Sequence, residues 1–298
     1  MAAPRVSIGL PVWNGEKYLD EALTSLVEQT FTDFEVIISD NGSTDRTEEI
    51  CRAWAERDPR IRYIRNEENR GSAWNFNRVF HEAGGTYFKW AAYDDKLLPE
   101  WLEECVTVLD SDPEVVLAYT GVVQIDENDE FLRHFTKFVD VTAADPVDRI
   151  RQVFYDWWCL PVFGLIRRGE LAATRLIGPY DSSDRALLVQ LAALGTFHRV
   201  DEALFHHRDH PDNTIHAFDS QQARGAWFDP QNADAVTYWP NWRYQFNFAL
   251  NIVRSPMTPG QKLRAMAALG GLMIQTRKHL LSDLVVAARG ALRKLRRS

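Results

Sequence analysis

The chain has 298 residues, of which 45% are apolar and 26% are charged, a composition typical of a soluble globular protein with one large domain or two small ones. Its net charge of −8 gives no general reason to expect nucleic-acid binding, so we expect no nucleic-acid partner. The three cysteines, Cys51, Cys105 and Cys159, lie far apart without a CxxC pair, which argues against a zinc site or a disulfide framework and favours a reducing, cytoplasmic location.

The first 120 residues alternate predicted strands with predicted helices. The N-terminus lacks the pattern of a signal peptide, and no apolar run approaches the ~20 residues that span a bilayer. β-rich runs predict strands at 6–11, 34–38, 60–64, 87–90 and 115–119, and helical periodicity predicts helices at 16–29, 44–57, 72–83 and 99–109. Ser43 or Thr44 is the predicted N-cap of the second helix. The alternation predicts βαβ units and a mostly parallel sheet.

Three of these predicted strands end in polar residues. The three pairs are Trp13 and Asn14, Asp40 and Asn41, and Asp94 and Asp95. In an open α/β sheet such ends share one edge, where ligands bind, so the three pairs are expected to converge. Adjacent carboxylates can hold a hard divalent ion, although a solvated acidic turn or a helix cap accounts for Asp94 and Asp95 equally well.

The order of four segments is more specific than any one of them. Residues 8–19 read IGLPVWNGEKYL, residues 25–45 read SLVEQTFTDFEVIISDNGSTD, residues 69–71 read NRG with Asn77 further on, and residues 85–95 end in Asp94-Asp95. As a set they resemble the motifs of the family-2 inverting glycosyltransferases. The chain departs from the usual pattern at Trp13, where Tyr is common, and at Ala92, where many members have the first acid of D-x-D-D.

The resemblance implies the GT-A fold, an α/β architecture in which a Rossmann-like, mostly parallel sheet is flanked by helices; here a C-terminal helical extension follows. It implies a nucleotide-sugar-binding half at 1–120, an acceptor-binding and catalytic half at 121–220, and an aromatic linker with a basic helical region at 221–298. The implied activity is inverting transfer of a sugar from a nucleoside-diphosphate sugar (UDP, dTDP or GDP) to an acceptor hydroxyl. The acceptor would be a glycan, a lipid-linked glycan or a cell-envelope polysaccharide precursor.

The same resemblance implies roles for single residues. Those expected to line the nucleotide pocket are Pro11, Trp13, Asn14, Asp40, Asn69, Arg70 and Asp94. Within this set, Asp40 would meet the base, Trp13 would stack on it, and Arg70 would pair with phosphate, although a solvated loop cation is an equally simple explanation of Arg70. Asp94 and Asp95, unranked, would hold Mn²⁺ or Mg²⁺. His210, in a segment that resembles the closing Y-R-x-H-P-x-S motif, would reach the metal or the diphosphate.

A second acidic segment carries the predicted catalytic base. Residues 180–195 read YDSSDRALLVQLAALG and resemble the family's E-D-x-x-L segment, with Ser183 where Glu is usual. The resemblance makes Asp184 the base and leaves Asp181 as the reserve candidate. A first-turn acid that complements the helix dipole is the alternative explanation of Asp184.

The C-terminal region is strongly basic. Residues 254–298 hold ten Lys or Arg against one acid, Asp283, a net charge of +9 that leaves −17 on the rest of the chain. A basic amphipathic helix can lie on an anionic membrane, which would place the protein peripherally on the inner face of the membrane, whereas a solvated tail needs no partner.

Two other functions stay open on the sequence. A sugar nucleotidyltransferase would need a glycine-rich basic loop after the first strand, which the loop at 12–17 fits poorly. A non-catalytic nucleotide-sugar-binding protein is conceivable because of Ala92 and Ser183.

Overall fold

The computed structural model describes residues 3–136, 138, 141–155, 158–211, 213, 221–230 and 239–295. Residues 212 and 214 of the His-rich segment, residues 231–238 of the predicted aromatic linker, and Arg296 and Arg297 of the basic region lie outside it. Within the described part, nine strands belong to one sheet. They are β1 (Val6–Val12), β2 (Phe34–Asp40), β3 (Ile61–Arg65), β4 (Tyr87–Trp90), β5 (Lys96–Leu97), β6 (Val115–Ile125), β7 (Phe131–His134), β8 (Leu165–Arg167) and β9 (Thr196–Arg208).

The sheet is mixed, with a parallel N-terminal half. Its order is β3-β2-β1-β4-β8-β6-β9-β5, and β7 pairs with β6. Strands β3, β2, β1 and β4 run parallel, as do β6 and β9, whereas β8 is antiparallel to both β4 and β6. The parallel half brings the carboxyl ends of β1, β2 and β4 to one edge, as the sequence predicts.

Helices cover both faces of this sheet. The α-helices are α1 (Leu19–Val27), α2 (Thr47–Arg57), α3 (Ser72–His81), α4 (Trp101–Ser111), α5 (Pro146–Phe154), α6 (Arg168–Ala172), α7 (Ser183–Leu194), α8 (Gln221–Phe228), α9 (Pro240–Arg254), α10 (Pro259–Gln275) and α11 (Arg277–Leu295). Helices α1, α2 and α4 share one core with the sheet, and α3, α5 and α7 share the other. Strand β2 alternates between the two cores, with Val36 and Ile38 in the first and Ile37 in the second. The predicted α/β architecture with a helical C-terminal region is thereby confirmed.

The predicted N-cap of the second helix is wrong. Helix α2 begins at Thr47, and the Asp45 carboxylate accepts a hydrogen bond from the Thr47 N–H at 3.0 Å. Ser43 Oγ and the Thr44 N–H instead bond to Asn14 in the loop after β1. The loop between β2 and α2 is therefore longer than predicted, and it is bonded to the loop after β1 at the carboxyl edge of the sheet.

The C-terminal helices are anchored to the second core. Asn251 on α9 donates to the carbonyl of Ala186 on α7 at 2.9 Å, and a capping box formed by Thr258 and Gln261 starts α10. Asp283 on α11 accepts from the backbone N–H of Asn241 at 2.8 Å and so ties α11 to the start of α9. In the described residues, no helix combines the length and apolar character needed to cross a membrane.

Candidate active site

The loops after β1 and β2 are tied together by Asn14. This residue has a positive φ of 52°, in the left-handed region that Asn tolerates better than most residues. Its backbone N–H donates to Ser43 Oγ at 2.9 Å, and its Oδ1 accepts from the Thr44 N–H at 2.9 Å. Trp13 stays 44% exposed, whereas Pro11 is buried within β1. Trp13 and Asn14 are therefore open to solvent at this edge, whereas Pro11 is not.

Asp40, at the end of β2, is a fully buried carboxylate held by three donors. Its Oδ1 accepts from the Ser43 N–H at 2.8 Å, and its Oδ2 accepts from the Tyr63 hydroxyl at 2.8 Å and from Arg65 Nη1 at 2.7 Å. Burial, reinforced by the hydrogen bond to Asp40, raises the pKa of Tyr63, so its hydroxyl stays a donor. Asp40 organises the floor of this edge, and its contact with a nucleobase stays a prediction.

The loop that contains Asn69 and Arg70 is fixed to the end of β2 by Asn41. Asn41 Nδ2 donates to Asn69 Oδ1 at 2.8 Å, and the backbone N–H of Arg70 donates to Asn41 Oδ1 at 3.1 Å. The Arg70 guanidinium lies 4.1 Å from the centroid of the Trp74 ring and is exposed. The structure thus brings both predicted loop residues to the same edge, with a cation held on an aromatic face.

Asp94 and Asp95 lie in the loop between β4 and β5 and contact β9 and the loop that follows it. Asp94 Oδ2 is 2.9 Å from His210 Nε2. Asp95 Oδ1 accepts from the Arg208 N–H at 2.9 Å and is 3.1 Å from His207 Nδ1. Burial raises the pKa of Asp94, and the neighbouring Asp95 charge adds to this effect. Burial opposes protonation of His207, but Asp95 outweighs it, so the pKa of His207 is raised.

Asp94 Oδ2 and His210 Nε2 lie at hydrogen-bonding distance, and the same distance matches that between two neighbouring ligands of one ion. Ligands at right angles and about 2.1 Å from an octahedral ion lie about 3 Å apart, and Asp94 Oδ2 and His210 Nε2 are 2.9 Å apart. The His210 ring also packs against Tyr18, with ring centroids 4.8 Å apart. Across the described residues, no three His, Cys, Asp or Glu side chains cluster in a way that could hold a metal ion, so an ion here would need ligands from phosphate oxygens and water.

Arg208, at the end of β9, is a buried hub that the sequence prediction missed. Its Nε donates to the backbone carbonyl of Asp94 at 2.9 Å, and its terminal nitrogens pair with Glu21 and Asp129, each at 2.8 Å. The side chain is only 1% exposed. These contacts join α1 and the β6–β7 turn to the Asp94 loop. The available signal was its place inside the His-rich segment.

Asp184 lies in the first turn of α7, as the sequence predicts. The residue before this helix, Ser182, has a positive φ of 63° and makes no side-chain cap, and Asp184 Oδ1 accepts from the Arg185 N–H at 2.7 Å. The charge of Asp184 acts on Tyr180, whose pKa is raised to about 12, chiefly by burial. Asp181 lies in the turn just before the helix. The catalytic role of Asp184 stays a prediction.

A clamp connects the Asp184 segment to the nucleotide side of the site. Asn77 on α3 donates through Nδ2 to the Ile177 carbonyl at 2.9 Å and accepts through Oδ1 from the Ile177 N–H at 3.0 Å. Helix α3 begins directly after the Asn69–Gly71 loop. One rigid helix therefore positions both this loop and the segment that leads into α7.

Two solved glycosyltransferase structures share this architecture. TarS 1–349 of S. aureus in complex with UDP-GlcNAc superposes with a TM-score of 0.69 and 17% identity, over 91% of this chain and 73% of that one. The mannosyltransferase PcManGT from Pyrobaculum calidifontis, in complex with GDP-Man and Mn²⁺, superposes with a TM-score of 0.54 and 17% identity, over 99% of this chain and 81% of that one. At such identities the likeness shows a shared fold, the GT-A fold that the sequence predicts.

Curated relatives match only part of the chain. An uncharacterised glycosyltransferase of Methanocaldococcus jannaschii is 34% identical over 137 residues, which cover 45% of this chain and 47% of the relative. The glycosyltransferase GlyA of Streptococcus pneumoniae is 33% identical over 99 residues, 33% of this chain and 14% of that protein. The alignment thus spans less than half of each relative.

The family model described as glycosyl transferase family 2 matches residues 7–160. This match covers more than half of the chain and includes both the Asn14–Ser43 loops and the Asp94–Asp95 loop. The chain therefore belongs to glycosyl transferase family 2.

Proposed function

We propose that this protein transfers a sugar from a nucleoside-diphosphate sugar to an acceptor hydroxyl, with inversion at the anomeric carbon. The observation that carries the proposal is the Asp94–His210 pair, 2.9 Å apart, at the edge where the loops after β1 and β2 meet. UDP-GlcNAc bound to TarS, and GDP-Man with Mn²⁺ bound to PcManGT, support a donor of this class.

In this proposal the donor lies across the loops after β1 and β2 and the Asn69–Arg70 loop. The exposed indole of Trp13 offers a face for the base, and Asn14 and Asp40 are joined nearby through Ser43. Arg70, already fixed on Trp74, pairs with phosphate oxygens. Because charge-assisted contacts with phosphate are not specific for one base, the choice among UDP, dTDP and GDP falls to the Trp13–Asp40 end.

A divalent ion, Mn²⁺ or Mg²⁺, would be held by Asp94 and His210. Asp95, the other predicted ligand, has its Oδ1 engaged by His207 and Arg208, so in this proposal it would add negative charge beside the ion and would not be a third ligand. When bound, such an ion supplies positive charge to the departing diphosphate. The protein holds Asp94 Oδ2 and His210 Nε2 in place by two contacts. Arg208 bonds to the Asp94 backbone, and Tyr18 packs on the His210 ring.

The proposed chemical step needs one base and no covalent intermediate. As the acceptor oxygen attacks the anomeric carbon, the bond from that carbon to the phosphate oxygen breaks on the opposite face, and the nucleoside diphosphate leaves. The acceptor proton passes to the Asp184 carboxylate. Asp184 suits this role because it is a carboxylate in the first turn of α7, just after the segment that Asn77 fixes to α3.

Replacing Asn77 with Ala is expected to slow transfer without weakening nucleotide binding. The substitution leaves the Ile177 N–H and carbonyl unpaired, which should lower the free energy of unfolding by about 1–3 kcal/mol. The segment before Asp184 loses its attachment to α3, and kcat should fall at least about tenfold, because small misplacements of a catalytic group are costly. Urea denaturation, kcat and the nucleotide Kd measure the three effects. A normal kcat in the destabilised variant would show that Asp184 does not depend on this clamp.

Calorimetric titration with UDP, GDP and dTDP, each with and without Mn²⁺, tests the proposed function. We expect one nucleotide to bind and Mn²⁺ to tighten its binding strongly. If the folded protein binds none of the three nucleotides, the proposed donor site is wrong. The alternative of a non-catalytic nucleotide-sugar-binding protein is then contradicted as well. Release of pyrophosphate from a nucleoside triphosphate and a sugar phosphate would identify a nucleotidyltransferase instead.

We further propose that the C-terminal helices bring the enzyme to an anionic membrane surface, where a lipid-linked acceptor would lie. The net charge of +9 on residues 254–298 is accompanied by exposed apolar side chains on α10 and α11, among them Ile274, Leu281 and Val285. The remainder of the chain carries −17, so an anionic surface would attract this region and repel the rest.

Vesicle sedimentation tests this contact. The protein is expected to sediment with phosphatidylcholine vesicles that contain about one-third phosphatidylglycerol, and not with phosphatidylcholine alone, since each basic residue near an anionic surface contributes about 1 kcal/mol. Substituting Arg277 and Lys278 with Gln should weaken binding, whereas the same change at Arg46, just before α2, and at Arg52 on α2 should not. Equal sedimentation with both vesicle types would refute an electrostatic contact.

A further inference from the structure

An indole on the far side of the Asp95–His207 pair is held in place but left open to solvent. Trp158 is 43% exposed, although its ring meets the buried Phe135 ring edge-on at 5.1 Å between centroids. The Arg133 guanidinium lies over both rings, 5.2 Å from the Phe135 centroid and 5.3 Å from that of Trp158. Arg133 is itself fixed, because its Nε donates to Gln124 Oε1 at 2.6 Å.

The backbone turns sharply directly after Trp158, where a short 3-10 helix (Leu160–Phe163) begins. Cys159 adopts a positive φ of 53°, in the left-handed region that is unfavourable for residues other than Gly, Asn and Asp. Cys159 and Leu160 are both buried, so the left-handed turn separates them from the exposed Trp158. Conformations of this kind persist where the surrounding structure enforces them, and they cluster at ligand sites.

Two contacts link the rings of Trp158 and Phe135 to the Asp95 side of the proposed reaction centre. The Phe135 centroid lies 6.3 Å from the His207 ring, and His207 Nδ1 is 3.1 Å from Asp95 Oδ1. The β7 strand, which holds Arg133, is fully exposed. Trp158 and Arg133 are therefore linked to the Asp95–His207 pair through the buried Phe135 ring, on elements that take no part in the nucleotide loops.

We propose that Trp158 and Arg133 form the acceptor platform, and that the acceptor presents a sugar ring to it. This inference rests on the proposed transferase function and adds the residues that would bind the acceptor sugar. A pyranose has an apolar face of C–H groups that packs on an indole, and hydroxyls that accept hydrogen bonds from the terminal guanidinium nitrogens of Arg133. A pyranose uses both features at once, because its C–H face and its hydroxyls lie on one small ring.

A titration followed on the tryptophan indoles tests this platform. The full chain is labelled with ¹⁵N-tryptophan, and the Trp158 indole peak is assigned by its loss in Trp158→Phe. Methyl glycosides of glucose, galactose, mannose and N-acetylglucosamine, and their disaccharides, are then added with and without the nucleotide that calorimetry selects. The Trp158 peak should move in a saturable way with at least one of these sugars. Trp239, which is 44% exposed at the start of α9, is the matched control and should not move.

Kinetics with the responding sugar complete the test. Trp158→Ala should raise the acceptor KM about 2- to 12-fold, the loss expected for one aromatic stacking partner. The nucleotide Kd and the slow hydrolysis of the donor by water should stay unchanged, and Trp239→Ala should match the wild type. A Trp158 peak that no sugar moves, or an unchanged acceptor KM, overturns the platform. Failure of the proposed function appears separately, as absence of nucleotide binding and donor hydrolysis in the wild type.

Discussion

Replacing Asp184 with Asn is expected to lower the transfer rate by about 10²- to 10⁴-fold, the contribution of one positioned general base. The amide is nearly isosteric with the carboxylate, so α7 and the clamp between Asn77 and Ile177 should remain intact. The amide cannot accept the acceptor proton. The nucleotide Kd should therefore match the wild type within about twofold, well below the 1.4 kcal/mol that a tenfold change represents. Initial rates of nucleoside diphosphate release and calorimetry measure the two quantities.

Asp181→Asn is the matched control for this substitution. Asp181 lies three residues earlier, in the turn before α7, and it is the other acid of the segment. We expect this variant to retain most of the wild-type rate. Normal turnover in Asp184→Asn together with a large loss in Asp181→Asn would transfer the role of base to Asp181.

Replacing Asp94 with Asn is expected to abolish the effect of Mn²⁺ on nucleotide binding. Asp94 Oδ2 is the charged partner of His210 Nε2, and an amide in its place removes the negative charge that a divalent ion requires. Loss even of an outer-shell partner typically weakens metal binding about 10- to 100-fold, so loss of a direct ligand should cost at least that much. The nucleotide Kd with saturating Mn²⁺ should rise to the value without metal, and calorimetry measures both.

Asp110→Asn separates this effect from a general loss of charge. Asp110 accepts from the Tyr87 hydroxyl at 2.6 Å, at the amino end of β4 and hence at the opposite edge of the sheet. Its substitution should leave the Mn²⁺ effect unchanged. If Asp94→Asn still binds the nucleotide tightly and Mn²⁺ still tightens this binding, the ion is held by ligands other than Asp94.

The N-terminal half of the fold could be predicted because its information is local. Apolar runs that alternate with helical periods specify parallel βαβ units, and these place Asn14, Asp40 and Asp94 at one edge whatever the details of packing. The start of α2 could not be predicted in the same way, because it depends on a long-range contact. Ser43 and Thr44 have the chemistry of N-caps, but both are hydrogen-bonded to Asn14, which is far away in sequence, and neither caps α2.

The roles of residues that act through long-range contacts could not be predicted from local sequence. Arg208 joins Glu21, Asp94 and Asp129, and this convergence depends on the register of β9. Lys89 lies in a run that looks apolar, yet its Nζ donates to the Phe163 carbonyl at 2.6 Å and lies 4.2 Å from the centroid of the Trp101 ring. Burial lowers the pKa of Lys89 to about 7. Composition and periodicity cannot reveal that a lysine has such partners.

The stereochemistry of donor hydrolysis tests whether the reaction inverts the anomeric carbon, and it needs no acceptor. With the donor that calorimetry selects, for example UDP-GlcNAc or GDP-mannose, water takes the place of the acceptor, and ¹H NMR identifies the anomer released before mutarotation. Inverting chemistry with Asp184 as the base predicts that the β-anomer forms first from these α-linked donors, and that Asp184→Asn suppresses it. First release of the α-anomer would contradict the single-displacement mechanism and would require a nucleophile in place of a base.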